Sequence, residues 1–269
     1  MKKILKALFN KMGYNITKKG TQNLSAMLFP GYDYAAEGAV AIDICGDYSM
    51  MPRINLQTLF EQAVYCEKKE IEGDFVECGV WKGGAVGIMA IANKQFGKRP
   101  RTLHLFDSFD DICEPDPKVD GEKALQDIKK FTGKNASEFT GTLKALKGIY
   151  NSHGGHGTID ICNNLLVKKI GYDSRKIIYY KGWFQDTLPT NAEGIEKIAI
   201  LRLDGDWYES IKVCLEYLYD KVQKGGIIVI DDYGYYEGCT KAVDEFLLKR
   251  DIKTFLAYSN IGCRYFVKN

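Results

Sequence analysis

Two short acidic runs hold the most chemical promise in this sequence. Leu203-Asp204-Gly205-Asp206 and Ile230-Asp231-Asp232 each close an apolar stretch, Ile198–Leu203 and Gly226–Ile230. Where an extended strand runs out, residues i and i+2 face the same way, so Asp204 and Asp206 share a direction. Asp231 and Asp232 are adjacent and serve one site only if the chain is already turning there, as Tyr233-Gly234 permits. Four carboxylates at neighbouring strand ends repel each other unless protons or a cation compensate. Hard oxygen donors without His or Cys suit Mg2+, which keeps waters and substrate oxygens in its shell. Such a cation makes an alcohol hydroxyl more acidic, and a nearby carboxylate can accept the proton. The plainer alternative is that these acids are solvated turn residues or helix N-caps.

A second group of residues points to a nucleotide-like ligand. Glu77-Cys78-Gly79-Val80-Trp81-Lys82-Gly83-Gly84 follows the apolar run Phe75-Val76, and Asp107 ends Thr102–Phe106. Glycines at a strand-to-helix turn let a ligand approach the backbone closely, and Asp107 can accept from two ribose hydroxyls. The G-x-x-x-G-G spacing differs from the G-x-G-x-x-G dinucleotide fingerprint, and Asp107 lies farther along than the ~20 residues that fingerprint requires. Glu77 repels phosphate but can pair with a cationic amino group. The combination suits an amino-acid nucleoside such as S-adenosylmethionine, although an ordinary strand–helix turn carries similar residues.

These residues need a sheet to position them. Residues 1–70 read as a helical extension, with Leu56, Leu59, Phe60, Ala63 and Cys66 on one face. From 71 to 269 strands and helices alternate: strands at 74–79, 102–106, 177–180, 198–203 and 226–230, and helices at 84–96, 158–170, 209–222 and 237–250. Two further strands, 254–258 and 264–267, flank a turn at Ser259–Gly262. Near-continuous apolar strands alternating with helices predict a doubly wound α/β domain, mostly parallel, with a terminal antiparallel hairpin. Ligands in such sheets bind beyond the carboxyl ends of the strands. The irregular stretch of about 111–157, with His153-Gly154-Gly155-His156 near its end, reads as a lid containing some helix.

Composition narrows the function classes. The chain has 269 residues and 37 Lys and Arg against 35 Asp and Glu, a net charge of +2. This balance leaves no electrostatic footprint for nucleic acid. Eight cysteines form no C-x-x-C pair, which removes zinc-knuckle and thioredoxin-type sites. Lys6 and Lys11 interrupt the apolar start, so a secretory leader is not expected. Together these features predict a cytoplasmic protein with reduced thiols and no membrane span. A basic amphipathic first helix is read as a surface arm, and a symmetric homo-oligomer is expected on general grounds.

Five ordered motifs bring a family into view: Phe75-Val76-Glu77-Cys78-Gly79-Val80-Trp81-Lys82-Gly83-Gly84, Leu105-Phe106-Asp107-Ser108-Phe109, Lys181-Gly182-Trp183-Phe184-Gln185-Asp186-Thr187-Leu188-Pro189, Leu201-Arg202-Leu203-Asp204-Gly205-Asp206-Trp207-Tyr208-Glu209-Ser210 and Ile230-Asp231-Asp232-Tyr233. From about 48 to 250 the sequence resembles the macrocin O-methyltransferases, which methylate sugar hydroxyls on macrolide and aminocoumarin antibiotics. The resemblance implies a class I methyltransferase fold, Rossmann-like with seven strands, and a Mg2+-dependent transfer from S-adenosylmethionine. It implies that Asp204, Asp231 and Asp232 hold the metal and that Asp206 is the general base. It sets Glu77 and Gly79 at the methionine part of the cofactor, Asp107 and Ser108 at its ribose, and Gly182 and Trp183 near adenine. Cys78, Val80, Trp81, Phe109 and Asp204 belong to the same cofactor-facing motifs, and Met50 lies in a short segment, Tyr48–Met51, that closes over the cofactor. The lid and the basic first 20 residues fall outside the antibiotic-pathway pattern.

Three other functions use some of these residues. Asp204-Gly205-Asp206 also reads as the D-x-D motif of a metal-dependent glycosyltransferase, which leaves Glu77 and Asp231-Asp232 unexplained. A catechol-type O-methyltransferase shares the metal logic with a different acceptor. A non-catalytic cofactor-binding protein would not need all four acids.

Overall fold

The apolar runs assemble into one seven-stranded sheet in the order β3-β2-β1-β4-β5-β7-β6. The strands are β1 (Asp74–Cys78), β2 (Leu103–Asp107), β3 (Ile177–Lys181), β4 (Ile198–Leu203), β5 (Val222–Asp231), β6 (Ala257–Asn260) and β7 (Cys263–Val267). The first five pair in parallel, and β7 runs antiparallel to both β5 and β6. The strand order reverses beside β1, so the crevice at the carboxyl ends of β1 and β4 is where a ligand fits. This computed structural model describes residues 34–269, except for the side chain of Ala136. The expected basic arm at the start lies outside the described residues.

Helices follow at the expected 84–96, near 209–222 and 237–250, and two further ones at Ala35–Cys45 and Phe184–Asn191 were not individually expected. In order the α-helices are α1 (Ala35–Cys45), α2 (Arg53–Lys68), α3 (Gly84–Phe96), α4 (Gly121–Thr132), α5 (Ile159–Asn163), α6 (Phe184–Asn191), α7 (Tyr208–Leu218) and α8 (Glu237–Lys249). Leu188, Ile211, Cys214, Leu215, Val243 and Phe246 from α6, α7 and α8 pack on Val76, Cys78, Leu201, Leu203 and Ile228 of the sheet. Side chains alternate along a strand, so Phe75, Glu77, Ile200 and Arg202 turn to the opposite face. There α2 and α3 cover the sheet. The helices up to residue 70 therefore include one, α2, that packs with the sheet, and the compact unit begins at Gly38. No described helix is long and apolar enough to cross a membrane.

Several boundaries differ from the sequence reading for local reasons. Thr158 caps its helix by accepting from the Ile161 N–H at 3.2 Å, but the helix widens into a π-helix over Asn164–Lys169. The expected 209–222 helix ends at Leu218, and β5 begins as early as Val222 because Gly225 takes a positive φ and lets the strand bend onto β4. The terminal hairpin is tighter than expected. Ser259 and Asn260 belong to β6, leaving Ile261-Gly262 as the turn.

Residues 111–157 are held by a small core of their own. Cys113, Ala124, Ile128, Phe139, Leu146 and Ile149 gather around Trp207, whose indole N–H donates to the Cys113 carbonyl at 3.0 Å. A bridge between Cys113 and Ala145 closes the segment, and α4 is its only α-helix among the described residues.

Candidate active site

The site starts from Gly79. Its φ is +90°, and a Cβ there would lie 1.8 Å from the Asp204 carbonyl oxygen. Only glycine lets the end of β1 pass so close to the end of β4, and the Asp204 N–H donates to the Cys78 carbonyl across the same gap at 2.8 Å. Beyond the strand ends, Trp81, Phe109, Asp206 and Asp232 all take left-handed backbone conformations. Such residues cluster where surrounding structure forces a turn, and each costs about 1–3 kcal/mol.

Asp107 ties the turns together. One carboxylate oxygen accepts from the Val80 and Trp81 N–H groups at 2.6 and 3.0 Å, and the other accepts from the Phe109 N–H at 2.6 Å. Its carbonyl accepts from Gly182 N–H at 2.9 Å. Burial pushes its carboxyl above the usual range, against the pull of these backbone donors. The residue expected at the ribose is thus also the knot joining β1, β2 and β3.

Two adjoining cavities open on these turns. Gly79, Trp81, Asp107, Ser108, Gly182, Trp183, Asp204 and Asp206 line the first, together with Ile112, Ile128, Ile149 and Tyr150 from the lid. The second is lined by Tyr48, Ser49, Met50, Glu77, Val80, Arg202, Asp231 and Asp232. Met50, Trp81, Asp204 and Asp206 border both. Two residues of the expected cofactor set point elsewhere. Cys78 alternates with Glu77 along β1 and is buried in the core against Cys214, and the Phe109 ring packs edge-on against Tyr179.

The carboxylates separate into two groups. Asp204, Asp206 and Asp232 each offer an oxygen within 4.8 Å of the others. Asp206 reaches this cluster through a left-handed turn after the strand ends rather than through strand alternation. Asp231 instead pairs with the Arg202 guanidinium, which also contacts Glu77 and lies 3.0 Å from Asp204 Oδ2. Burial, then the charges of Asp204 and Asp231, push the Asp206 carboxyl far up. Burial, then Asp206 and Asp204, do the same to Asp232. Burial takes Asp231 to about 6 and Glu77 to about 8, with Arg202 pulling each down. Among the described residues of the site, Arg202 Nε is buried without a hydrogen-bond partner, and so are two carboxylate oxygens, Glu77 Oε2 and Asp232 Oδ2. Both oxygens fit missing ligands: an ammonium group at Glu77, and a hard divalent cation at Asp232 and its neighbours.

The His153–Gly155 run meets the glycine turn through its backbone carbonyls. Lys82 Nζ donates to the His153 carbonyl at 2.7 Å and the Gly154 carbonyl at 3.3 Å, and the Trp81 indole donates to the Gly155 carbonyl at 3.2 Å. A Cβ on Gly157 would lie 1.6 Å from the Trp81 carbonyl oxygen, so the loop can close on the glycine turn only with glycine there. The His153 side chain lines the first cavity, while His156 lies near Asp110 and Asp111.

Some site residues had no assigned role in the sequence reading. Arg202 was visible as a lone cation inside the apolar run Ile198–Leu203, a position that demands acidic partners. Tyr150 borders the first cavity, and burial, then Asp206, push its phenol far up. Asp120 accepts from the Tyr208 N–H at 2.7 Å and fastens the lid to the start of α7. Neither Tyr150 nor Asp120 has a sequence signal, because nothing local shows that the lid folds back over the strand ends.

Comparison with known proteins agrees with this arrangement. A family model described as macrocin-O-methyltransferase (TylF) matches residues 34–136 and 163–268. The chain is 35% identical over 182 residues to demethyldecarbamoylnovobiocin O-methyltransferase of Streptomyces niveus, covering 68% of this chain and 61% of that protein. It is 29% identical over 195 residues to mycinamicin III 3''-O-methyltransferase of Micromonospora griseorubida, covering 71% and 66%. The matched part thus spans less than two thirds of the Streptomyces relative's length. Among solved structures, the O-methyltransferase NovP superposes with a TM-score of 0.66 at 28% identity over 82% of both chains. An O-methyltransferase from Bacillus cereus, solved with S-adenosylhomocysteine (SAH), shares the fold at a TM-score of 0.50 and 10% identity, over 92% of this chain and 96% of that one.

Proposed function

The chain belongs to the macrocin O-methyltransferase family, and on that premise we propose that it transfers the methyl group of S-adenosylmethionine to a hydroxyl of a sugar or glycosylated metabolite, with Mg2+ in the carboxylate site. The observation that carries this reading is the meeting of two unsatisfied carboxylates, Glu77 and Asp232, with Asp204 and Asp206 at the strand ends of a methyltransferase fold. In this reading Glu77 Oε2 takes the cofactor's ammonium group, and Gly79 gives its methionine part room along the backbone. Ser108 and Asp107 face the ribose, Gly182 and Trp183 the adenine, and Met50 closes the opposite side. All of these residues line one or both cavities.

Asp204 and Asp232 would be the first two cation ligands, and Asp231, one of whose oxygens pairs with Arg202, would be the third. The bound cation supplies the charge that makes the acceptor hydroxyl acidic. Asp206 borders both cavities and takes the hydroxyl proton on its carboxylate. Tyr150, Trp207 and Ile149 from the lid and the strand-end loop keep bulk water from the first cavity.

Titration calorimetry with SAH and with UDP-sugars tests the cofactor. We expect SAH to bind and UDP-sugars not to, and the reverse result would overturn the reading in favour of glycosyl transfer. A panel of glycosides incubated with methyl-labelled S-adenosylmethionine then identifies the acceptor. Label transferred only to catechols would replace the sugar by a catechol acceptor.

A further inference from the structure

Resting on the proposed cofactor, we infer that Arg202 is a positioning residue that sets the amino-acid end of that cofactor by occupying one oxygen of Glu77 and presenting the other. Arg202 is 1% exposed, the penultimate residue of a fully buried strand. A buried guanidinium is tolerated only with excellent partners. Glu77 is its register neighbour on β1, and Val229 is its neighbour on β5, two residues before Asp231 on the same face. The planar fork therefore spans three strands. Nη1 donates to Glu77 Oε1, while Nη2 reaches Asp231 Oδ2 and lies 3.0 Å from Asp204 Oδ2.

This division of labour has a consequence for Glu77. Both guanidinium nitrogens belong to one rigid plane, so contacts on the Asp231 side fix the direction from which Nη1 meets Glu77. With Oε1 occupied, the buried Oε2 is left without a partner. Glu77, Arg202, Asp204 and Asp231 line the same cavity, so an ammonium entering that cavity finds a carboxylate already turned towards it. Lysine would keep the positive charge but not the fork, and could not brace Glu77 from Asp231.

The test uses the full-length protein and two probes that differ only at the end in question. SAH carries the amino-acid group, and 5′-methylthioadenosine lacks it. For Arg202→Lys we expect SAH affinity to fall about tenfold, the effect of losing one charge-assisted hydrogen bond, while methylthioadenosine affinity stays within about twofold. Asp231→Asn takes the charge from the brace on Nη2 and leaves a neutral acceptor, and SAH should again weaken selectively, by a smaller factor. This second variant decides the matter if Arg202→Lys does not fold. Equal losses for the two probes, or no loss for either, would show that Arg202 only compensates buried charge and would overturn the inference. If the unaltered protein binds neither probe, the proposed cofactor fails and this inference fails with it. Selective binding by the unaltered protein that Arg202→Lys and Asp231→Asn leave untouched sinks the inference alone.

Discussion

The floor of the site and the lid above it are both rich in charge, but they dispose of it differently. On the floor, five acids gather around one guanidinium, which contacts Glu77, Asp204 and Asp231 but not Asp206 or Asp232 among the described pairs, and two of their buried oxygens have no partner. In the lid Asp127 is matched by Lys123 and Lys130 and Glu114 by Lys134 together with Thr140 and Thr142, with Asp110 at its edge matched by Lys147, while the buried Asp120 accepts from the Asp116 and Tyr208 N–H groups. Unsatisfied buried charge is tolerated where a ligand completes it, whereas paired charge near the surface holds a shape at small net gain. The floor is therefore read as chemical machinery and the lid as a cover. The family match follows the same division, since its gap, residues 137–162, falls across the second half of the lid.

The largest expected effects break the floor. Asp206→Asn should lower turnover by about 10²–10⁴, the usual worth of a general base, with SAH affinity unchanged by calorimetry. Unchanged turnover in a metal-loaded variant would remove Asp206 from the base role. Because Asp206 also lies in the cluster with Asp204 and Asp232, Mg2+ titration of the variant matters equally. Retained Mg2+ affinity in Asp206→Asn and lost affinity in Asp231→Asn support the proposed ligand set, and the opposite pattern makes Asp206 the third ligand. Close behind is removal of the cation itself. EDTA should abolish methyl transfer and added Mg2+ should restore it, while turnover that resists the chelator would refute a metal role.

How much of this was legible beforehand also divides between floor and lid. Strand ends are written locally: Val76-Glu77-Cys78-Gly79 and Ile230-Asp231-Asp232 mark the edge of the sheet by an abrupt change from apolar to acidic. The order of the strands and the convergence of Asp204 with Asp232 follow from a parallel sheet that hides its apolar residues on both faces. The partner of each acid was not legible. That Asp231 is taken by Arg202, and that Asp107 is held by three backbone N–H groups, depends on turns with positive φ at Trp81, Phe109 and Asp232, which non-glycine residues seldom announce. The lid's core was hidden for another reason. Ile128, Leu146 and Trp207 are far apart in sequence and share no period, so their meeting is purely tertiary.

A pH series sharpens the contrast, because the lysine-paired acids of the lid respond in the opposite direction to the buried acids of the floor. Burial raises the Asp127 and Glu114 carboxyls, but the lysine and threonine donors around them outweigh it and hold both below the usual range. Their stabilisation is present above the unfolded value of about 4 and is lost as pH falls through the lower folded value. Glu77 is raised to about 8, so its contribution is full below the unfolded value and is lost as pH rises to and through about 8. In metal-free protein, the melting temperature should fall by a few degrees between about pH 5 and 8. Glu77→Gln should make that slope shallower, leaving the part that Asp206, Asp231 and Asp232 supply in the same direction, and SAH should oppose it. Amides around Asp127 and Glu114, followed by hydrogen exchange, should lose protection on the acid side, whereas the buried Asp120, raised to about 6, responds in the floor's direction. A slope in Glu77→Gln as steep as in the unaltered protein would detach the floor's pH response from this residue.

The smallest expected effect tests the seam between the two regions. Lys82 sits on the glycine turn of the floor, stacks 4.4 Å from the Trp81 ring centre and donates to two lid carbonyls, those of His153 and Gly154. Its ammonium is exposed, so the contact contributes little to overall stability. Its influence falls instead on how often the 153–157 loop leaves the mouth of the first cavity, where His153 lines the wall. Lys82→Met preserves most of the stem over the indole and removes the donor. The Michaelis constant for the acceptor should rise a few-fold, with kcat and SAH affinity unchanged, because the lid meets the acceptor while the cofactor's amino-acid end rests on the floor. A change in SAH affinity as large as the change for the acceptor would mean that lid and floor are one binding surface, and the division drawn between them would fail at this residue.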